Sequence, residues 1–221
     1  ITGLNNNILT LDTPWDQVPA TETEYVVLSA SPTLFVDETT QTDKLLIYND
    51  QSSGNDTGEL TGDSITGINM TYGIIFRGFE EFELWLGQGN DTLTVSDTPW
   101  GAHTVINGGS GNDRFELMSA QNHPTITGDG DLTINGDAGN DYFNIIFDSF
   151  AEGKVTINGN EGDDFYNLEY SPEYFEYMLL NGNDGDDTFS FADGLVVNGV
   201  INGGLGLDTL DYTRYTTARH A

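Results

Sequence analysis

The sequence predicts an all-β fold: a right-handed parallel β-solenoid (a β-helix or β-roll) of about 22 residues per coil, preceded by an irregular β-rich part. Three observations predict it. A glycine-rich turn followed by an aspartate and then an apolar residue recurs six times within residues 86–212. The aspartates of those turns, Asp91, Asp113, Asp141, Asp164, Asp187 and Asp208, stand 22, 28, 23, 23 and 21 residues apart. Short β-type runs flank the turns, and no window shows a capped helical period.

Residues 1–60 are not clearly repetitive. They hold short β-type runs at 8–11, 25–28, 33–36 and 45–48, with Pro14, Pro19 and Pro32 suited to loops or edges. This part reads as an irregular capping or assembly segment. Gly54-Asn55-Asp56-Thr57-Gly58 reads as a turn. Residues 79–86 alternate apolar and acidic side chains over most of their length, the pattern of a half-buried strand with a solvated acidic face.

The repeating body is expected over residues 61–215, with 216–221 as a tail. Its fullest turns are Gly108-Gly109-Ser110-Gly111-Asn112-Asp113 and Gly203-Gly204-Leu205-Gly206-Leu207-Asp208. An extra loop with a second acidic turn at 121–131 accounts for the long interval of 28. Just before each of the last five turns stands Ile-Asn-Gly or Leu-Asn-Gly, at Ile106, Ile134, Ile157, Leu180 and Ile201.

A unit this short buries apolar side chains only against its neighbours, so stacking is its stable arrangement. Six rungs at the spacing of β-strands extend roughly 30 Å. Leu93, Phe115, Phe143, Tyr166, Phe189 and Leu210 are expected to form one inward column, and the Ile/Leu residues before the turns a second. Each fully buried member contributes about 1.5–3 kcal/mol. The glycines answer the need for positive φ at a sharp corner. The asparagines preceding the first glycine are placed to stack as an amide ladder.

The aspartates require a different explanation. Stacked in register they bring like charges within one strand spacing, and Asp163 and Asp186 add more, which raises pKa values and opposes folding. A hard cation held by carboxylates and turn carbonyls relieves this, and calcium, with six to eight oxygen ligands, suits such a site. The candidate ligands are Asp91, Asp113, Asp141, Asp164, Asp187 and Asp208, with Asn112, Asn140, Asp163 and Asp186 beside them. The alternative is an acidic edge relieved by water and monovalent ions.

The pattern Gly-Gly-x-Gly-x-Asp-x-apolar-x, complete at 108–116 and 203–211 and nearly so at 136–144, 159–167 and 182–190, resembles the calcium-binding nonapeptide of the RTX (hemolysin-type) family of secreted bacterial proteins. The resemblance implies calcium held between successive coils by the sixth-position aspartates and turn carbonyls. It covers the turns within 86–212. RTX rolls carry two nonapeptides per coil and this chain one, which implies a wider coil with calcium along one edge. The one-per-coil spacing also resembles the repeat regions of giant bacterial surface and adhesin-like proteins.

With 36 acidic and 6 basic residues the chain carries a net charge of −30, which argues against nucleic acid and anionic membrane surfaces as partners. No apolar run approaches membrane-spanning length, so membrane insertion is not expected. There is no cysteine. The chain begins at Ile1 without a signal-peptide pattern, which reads as a processed chain or a segment of a longer one. His103, His123 and His220 and the basic residues are scattered, and no nucleophile motif or phosphate loop is present, so the chain is not expected to be an enzyme. Trp15, Trp85, Trp100, Tyr170, Tyr174, Phe175 and Tyr177 could line a sugar-binding groove, or cover the core and mediate contacts. The expectation is a non-catalytic extracellular structural protein, bacterial, for a surface layer, fibre or adhesin stalk, self-associating head to tail or laterally. The alternative is a β-helix that binds or modifies carbohydrate, with extracellular glycans as partners.

Overall fold

A computed structural model describes residues 3–5, 8–10, 42–118, 130–146, 153–170, 177–195 and 198–216. The chain divides into two compact units, Ile1–Gln41 and Thr42–Ala221. In the first, β1 (Gly3–Asn5) and β2 (Ile8–Thr10) pair antiparallel. The β-type runs expected at 25–28 and 33–36 lie outside the described residues.

The second unit holds sixteen strands and no helix among its described residues. They are β3 (Lys44–Tyr48), β4 (Thr57–Leu60), β5 (Ser64–Gly67), β6 (Ile74–Ile75), β7 (Glu81–Gly87), β8 (Thr92–Val95), β9 (His103–Gly109), β10 (Arg114–Met118), β11 (Leu132–Ala138), β12 (Tyr142–Ile146), β13 (Val155–Glu161), β14 (Phe165–Tyr170), β15 (Met178–Asp184), β16 (Thr188–Phe191), β17 (Gly199–Leu205) and β18 (Thr209–Asp211). They build a seven-stranded sheet, β17-β15-β13-β11-β9-β7-β3, and a nine-stranded sheet, β18-β16-β14-β12-β10-β8-β4-β5-β6. Pairing is parallel except where β5 runs antiparallel to β4 on one side and to β6 on the other. From β7 on, the chain alternates between the sheets, and each glycine turn joins a strand of one to a strand of the other. Such a pair of strands is called a level below. The first level is β3 with β4, so the sheets begin ahead of residue 61. Gly54-Asn55-Asp56 makes the turn of that level.

Both expected apolar columns are present. Leu93, Phe115, Phe143, Tyr166, Phe189 and Leu210 stand in register across the nine-stranded sheet. The first five of them are fully buried. Their rings stack, with centroids 5.3 Å apart for Phe115 and Phe143, 4.8 Å for Phe143 and Tyr166, and 4.5 Å for Tyr166 and Phe189. The Tyr166 hydroxyl donates to the Asn181 carbonyl at 2.6 Å, which makes a tyrosine tolerable in an otherwise apolar column. Opposite them Ile106, Ile134, Ile157, Leu180 and Ile201 align in the seven-stranded sheet. Phe143→Ala removes the middle of the aromatic stack and is expected to cost about 3–5 kcal/mol, read as a shift in the urea midpoint.

The asparagine ladder also forms. Asn135 donates through Nδ2 to Asn107 Oδ1, Asn158 to Asn135 and Asn181 to Asn158, each at 2.8 Å. The ends of the body differ. At one, β5 and β6 cover the outer edge of β4. At the other, β17 and β18 have no further strand beside them among the described residues.

Candidate cation site: the aspartate column

The turns place their aspartates inward. Asp91, Asp113, Asp141, Asp164 and Asp187 have 0–2% of their surface exposed, as little as the aromatic column. At Asp113, Asp141, Asp164 and Asp187 the first glycine of the motif leaves the room for this, whereas at Asp91 that position is Leu86. A Cβ on Gly108 would lie 2.5 Å from Asp113 Oδ2 and 2.5 Å from the Gly136 carbonyl oxygen. Its role is therefore one of space, since the carboxylate folds back onto it. The fourth glycine is a matter of backbone: Gly162 has φ +127°, and a Cβ there would overlap the Gly139 carbonyl, 2.6 Å from its carbon. Where the second glycine is replaced, Asp137, Asn160 and Asn183 take up its left-handed conformation at φ 72°, 77° and 76°. Asp and Asn enter that region more easily than other side chains.

Two columns of side-chain acceptors stitch successive turns together, and they point opposite ways. In the buried sixth-position column, Oδ1 accepts the backbone N–H of the equivalent aspartate one level earlier. Asp91 N–H donates to Asp113 at 2.8 Å, Asp113 to Asp141 at 2.7 Å, Asp141 to Asp164 at 2.8 Å, Asp164 to Asp187 at 2.9 Å and Asp187 to Asp208 at 3.1 Å. In the exposed fifth-position column, the side chain accepts the N–H of the equivalent residue one level later. Asn112 accepts from Asn140 at 2.9 Å, Asn140 from Asp163 at 3.1 Å, Asp163 from Asp186 at 2.8 Å and Asp186 from Leu207 at 2.7 Å. The backbone ladder lapses at the turn, and these side chains supply the missing acceptors. Sequence reasoning grouped Asn112, Asn140, Asp163 and Asp186 with the sixth-position aspartates as one ligand set. The structure separates them into a buried column and an exposed one. Among the described residues no three His, Cys, Asp or Glu side chains converge as a metal-binding group.

The second oxygen of each buried carboxylate is the unusual feature. Oδ2 of Asp91, Asp113, Asp141, Asp164 and Asp187 is enclosed and has no hydrogen-bond partner. At Asp113, Asp141, Asp164 and Asp187 a backbone oxygen of the next level stands beside it. The space next to Gly108 faces both Asp113 Oδ2 and the Gly136 carbonyl. The arrangement recurs at Gly136 with Asp141 and Gly159, at Gly159 with Asp164 and Gly182, and at Gly182 with Asp187 and Gly203. Two electron-rich oxygens face one region with no donor between them. Burial, and secondarily the neighbouring carboxylates, oppose ionisation, while the N–H bonded to Oδ1 favours it. The balance pushes Asp113 and Asp187 up to about 6, Asp164 to about 7 and Asp141 to about 8. Asp91 is raised as well, chiefly by burial.

Asp56 shows how a protein partner satisfies the same oxygen. It begins the column, with its N–H donating to Asp91 Oδ1 at 2.7 Å. Its own Oδ2 accepts from Asn49 Nδ2 and Ser52 Oγ at 2.8 Å and from Asn69 Nδ2 at 3.0 Å. Later levels supply no such donors. Sequence reasoning missed this terminal cap. The signal available was that Gly54-Asn55-Asp56 repeats Gly89-Asn90-Asp91. The donor set at the later levels, carboxylate and carbonyl oxygen without nitrogen or sulfur, suits a hard cation such as calcium.

The chain matches no protein-family model, no curated protein and no solved structure.

Among the described residues, the basic side chains do not gather at the column. Lys44 pairs with Glu83 at 3.1 Å and Glu81 at 3.4 Å. Arg114 pairs with Glu116 and lies 4.2 Å from the Tyr142 ring centroid. Arg214 binds Glu169 at 2.7 Å. His103 is exposed on β9, while His123 and His220 lie outside the described residues. Of the aromatics considered for a sugar groove, Trp85 bonds Glu83 at 3.0 Å, and Trp100 and Tyr177 are exposed. Trp15, Tyr174, Phe175 and the Tyr170 side chain are outside the described residues. Among the described residues no helix is long and apolar enough to cross a membrane.

Proposed function

We propose that the second unit is a right-handed parallel β-solenoid, each level one coil, serving as a non-catalytic, calcium-stabilised structural element of an extracellular surface protein. The row of enclosed, partnerless Oδ2 atoms supports this reading most directly. Five carboxylates stand in register, and four of them, Asp113, Asp141, Asp164 and Asp187, each lie beside a carbonyl of the next level. Such a row demands neutralisation at neutral pH, and a column of calcium ions would supply it. Asp113, Asp141, Asp164 and Asp187 would hold the ions with the carbonyls of Gly136, Gly159, Gly182 and Gly203. When bound, calcium supplies positive charge and cross-links adjacent coils. The near-invariable right-handedness of parallel crossovers supports the hand. The RTX-like turn and the acidic composition support the extracellular setting and a role in extending or joining rather than catalysing.

The test is thermal unfolding with calcium and with a chelator, together with elemental analysis of the protein. Unchanged melting and no bound calcium would sink the metal reading. Asp141→Asn refines the test. The amide keeps an acceptor for the Asp113 N–H and places a donor where Oδ2 faces the Gly159 carbonyl. The variant is expected to melt above the wild type in chelator at pH 8 and to respond less to calcium. Asp141→Ala is expected to melt below both, because it strands a buried N–H at about 1–3 kcal/mol.

A further inference from the structure

The two ends of the nine-stranded sheet are unlike each other and unlike its middle. The third and fifth turn positions, where earlier full copies carry no large apolar residue, become Leu205 and Leu207 in the last level, 70% and 77% exposed. Leu210, at the head of the buried aromatic column, is 54% exposed. Leu207 also ends the fifth-position column, since it offers no oxygen to a further N–H. A cavity of about 380 Å³ opens here, lined by Phe191, Leu195, Gly199, Ile201, Tyr212 and Tyr215. At the opposite edge, β6 and the turn before it present Tyr72, Ile74 and Ile75, exposed 87%, 37% and 72%. The two reversals through β5 give β6 the direction of β4, and so the direction of β18. Charge is placed at both ends. Arg77, with 82% of its side chain exposed and, among the described residues, only a long, exposed ion pair to Asp63 at 3.9 Å, adjoins β6, while Asp208 and Asp211 flank Leu210.

We propose that the β18 edge of one copy docks in parallel on the β6 edge of a second copy, with Leu207 and Leu210 against Ile74 and Ile75 and Arg77 toward Asp208 and Asp211. Apolar surface meets apolar surface, opposite charges meet, and strand direction is preserved through the joint. The two faces differ, so the contact is heterologous and, unless it closes as a ring, propagates as an open chain of copies. The inference gives the self-association in the proposed structural role its two surfaces.

Complementation between two blocked chains tests it. Leu207→Lys places a cation where Arg77 arrives, and Ile75→Glu places an anion where Asp208 and Asp211 arrive. The whole chain is expected to form oligomers whose size grows with concentration in sedimentation velocity. Each variant alone is expected to remain single. The two mixed are expected to form a one-to-one pair of twice the single-chain mass, because each retains one intact face. Leu205→Lys and Ile74→Glu serve as a second pair should either first variant lose its β-type circular dichroism. A wild type that stays single at high concentration overturns the proposal. So does self-association of Ile75→Glu alone, or the absence of a pair on mixing. Melting of the same variants with and without calcium separates this outcome from the metal reading: a calcium response in chains that never associate retains the calcium site and discards the joint.

Discussion

In chelator, the melting temperature is expected to fall as pH rises from about 4 to 8, and calcium is expected to restore it at pH 8. Asp113, Asp141, Asp164 and Asp187 have folded pKa values of about 6, 8, 7 and 6, above the ordinary 3.8. A group with a raised folded pKa stabilises the fold fully below its unfolded value and loses that contribution as pH climbs through the folded one. The loss therefore begins near pH 4 and is complete above pH 8. Calcium reverses the dependence, since it binds the ionised carboxylates. At a hundredfold excess over Kd each site contributes about 2.7 kcal/mol. For a chain of this size 1 kcal/mol moves Tm by about 2–4 °C, so four filled sites raise it by roughly 20–40 °C. Differential scanning calorimetry across pH, with and without calcium, reads both effects. A melting temperature that rises with pH in chelator would show that the carboxylates are not buried as described.

Gly162→Ala is expected to cost about 4 kcal/mol or more, among the largest effects of any single substitution. Its Cβ would overlap the Gly139 carbonyl, a backbone group in a turn whose own N–H is held by the Glu161 carbonyl at 2.8 Å, and φ +127° is unfavourable for alanine in itself. Gly194→Ala isolates the second cause from the first. Gly194 has φ +78°, but a Cβ added there would meet no atom within 4 Å, so its substitution is expected to cost only about 1–2 kcal/mol. Urea unfolding of the two variants side by side gives the comparison. Similar costs would mean that the neighbouring level yields, and that the turns are less tightly stacked than the register implies.

The two apolar columns and the asparagine ladder were legible in the sequence because each depends only on period. Phe115, Phe143, Tyr166 and Phe189 occupy equivalent phases, and any arrangement that stacks the units aligns them. The direction of the aspartates was not legible. A carboxylate in a glycine turn looks like a surface group, and period alone does not say whether it faces out or folds back. The discriminating feature is the first glycine, at Gly108 for instance, where a missing side chain leaves room for Oδ2. Asn140 and Asp141 are adjacent in the chain and were read together, yet the alternation of an extended backbone sends one outward and the other in. The first level was obscured for a different reason: the β5–β6 hairpin stretches the interval from Asp56 to Asp91 to 35 residues, well outside the repeat.

The opposed directions of the two side-chain columns have a consequence for how such a chain changes in length. Each interior turn presents a fifth-position acceptor to the level after it and a sixth-position acceptor to the level before it, so the two sides of every interior level are complementary and alike from level to level. Excising the 23 residues between equivalent points of Asp141 and Asp164, or duplicating them, brings together connectors that already match. Nothing in the turn needs to be reinvented, and the two special ends are untouched. The body can thereby be lengthened or shortened one level at a time, in steps of about 4.8 Å, by recombination between its own repeats.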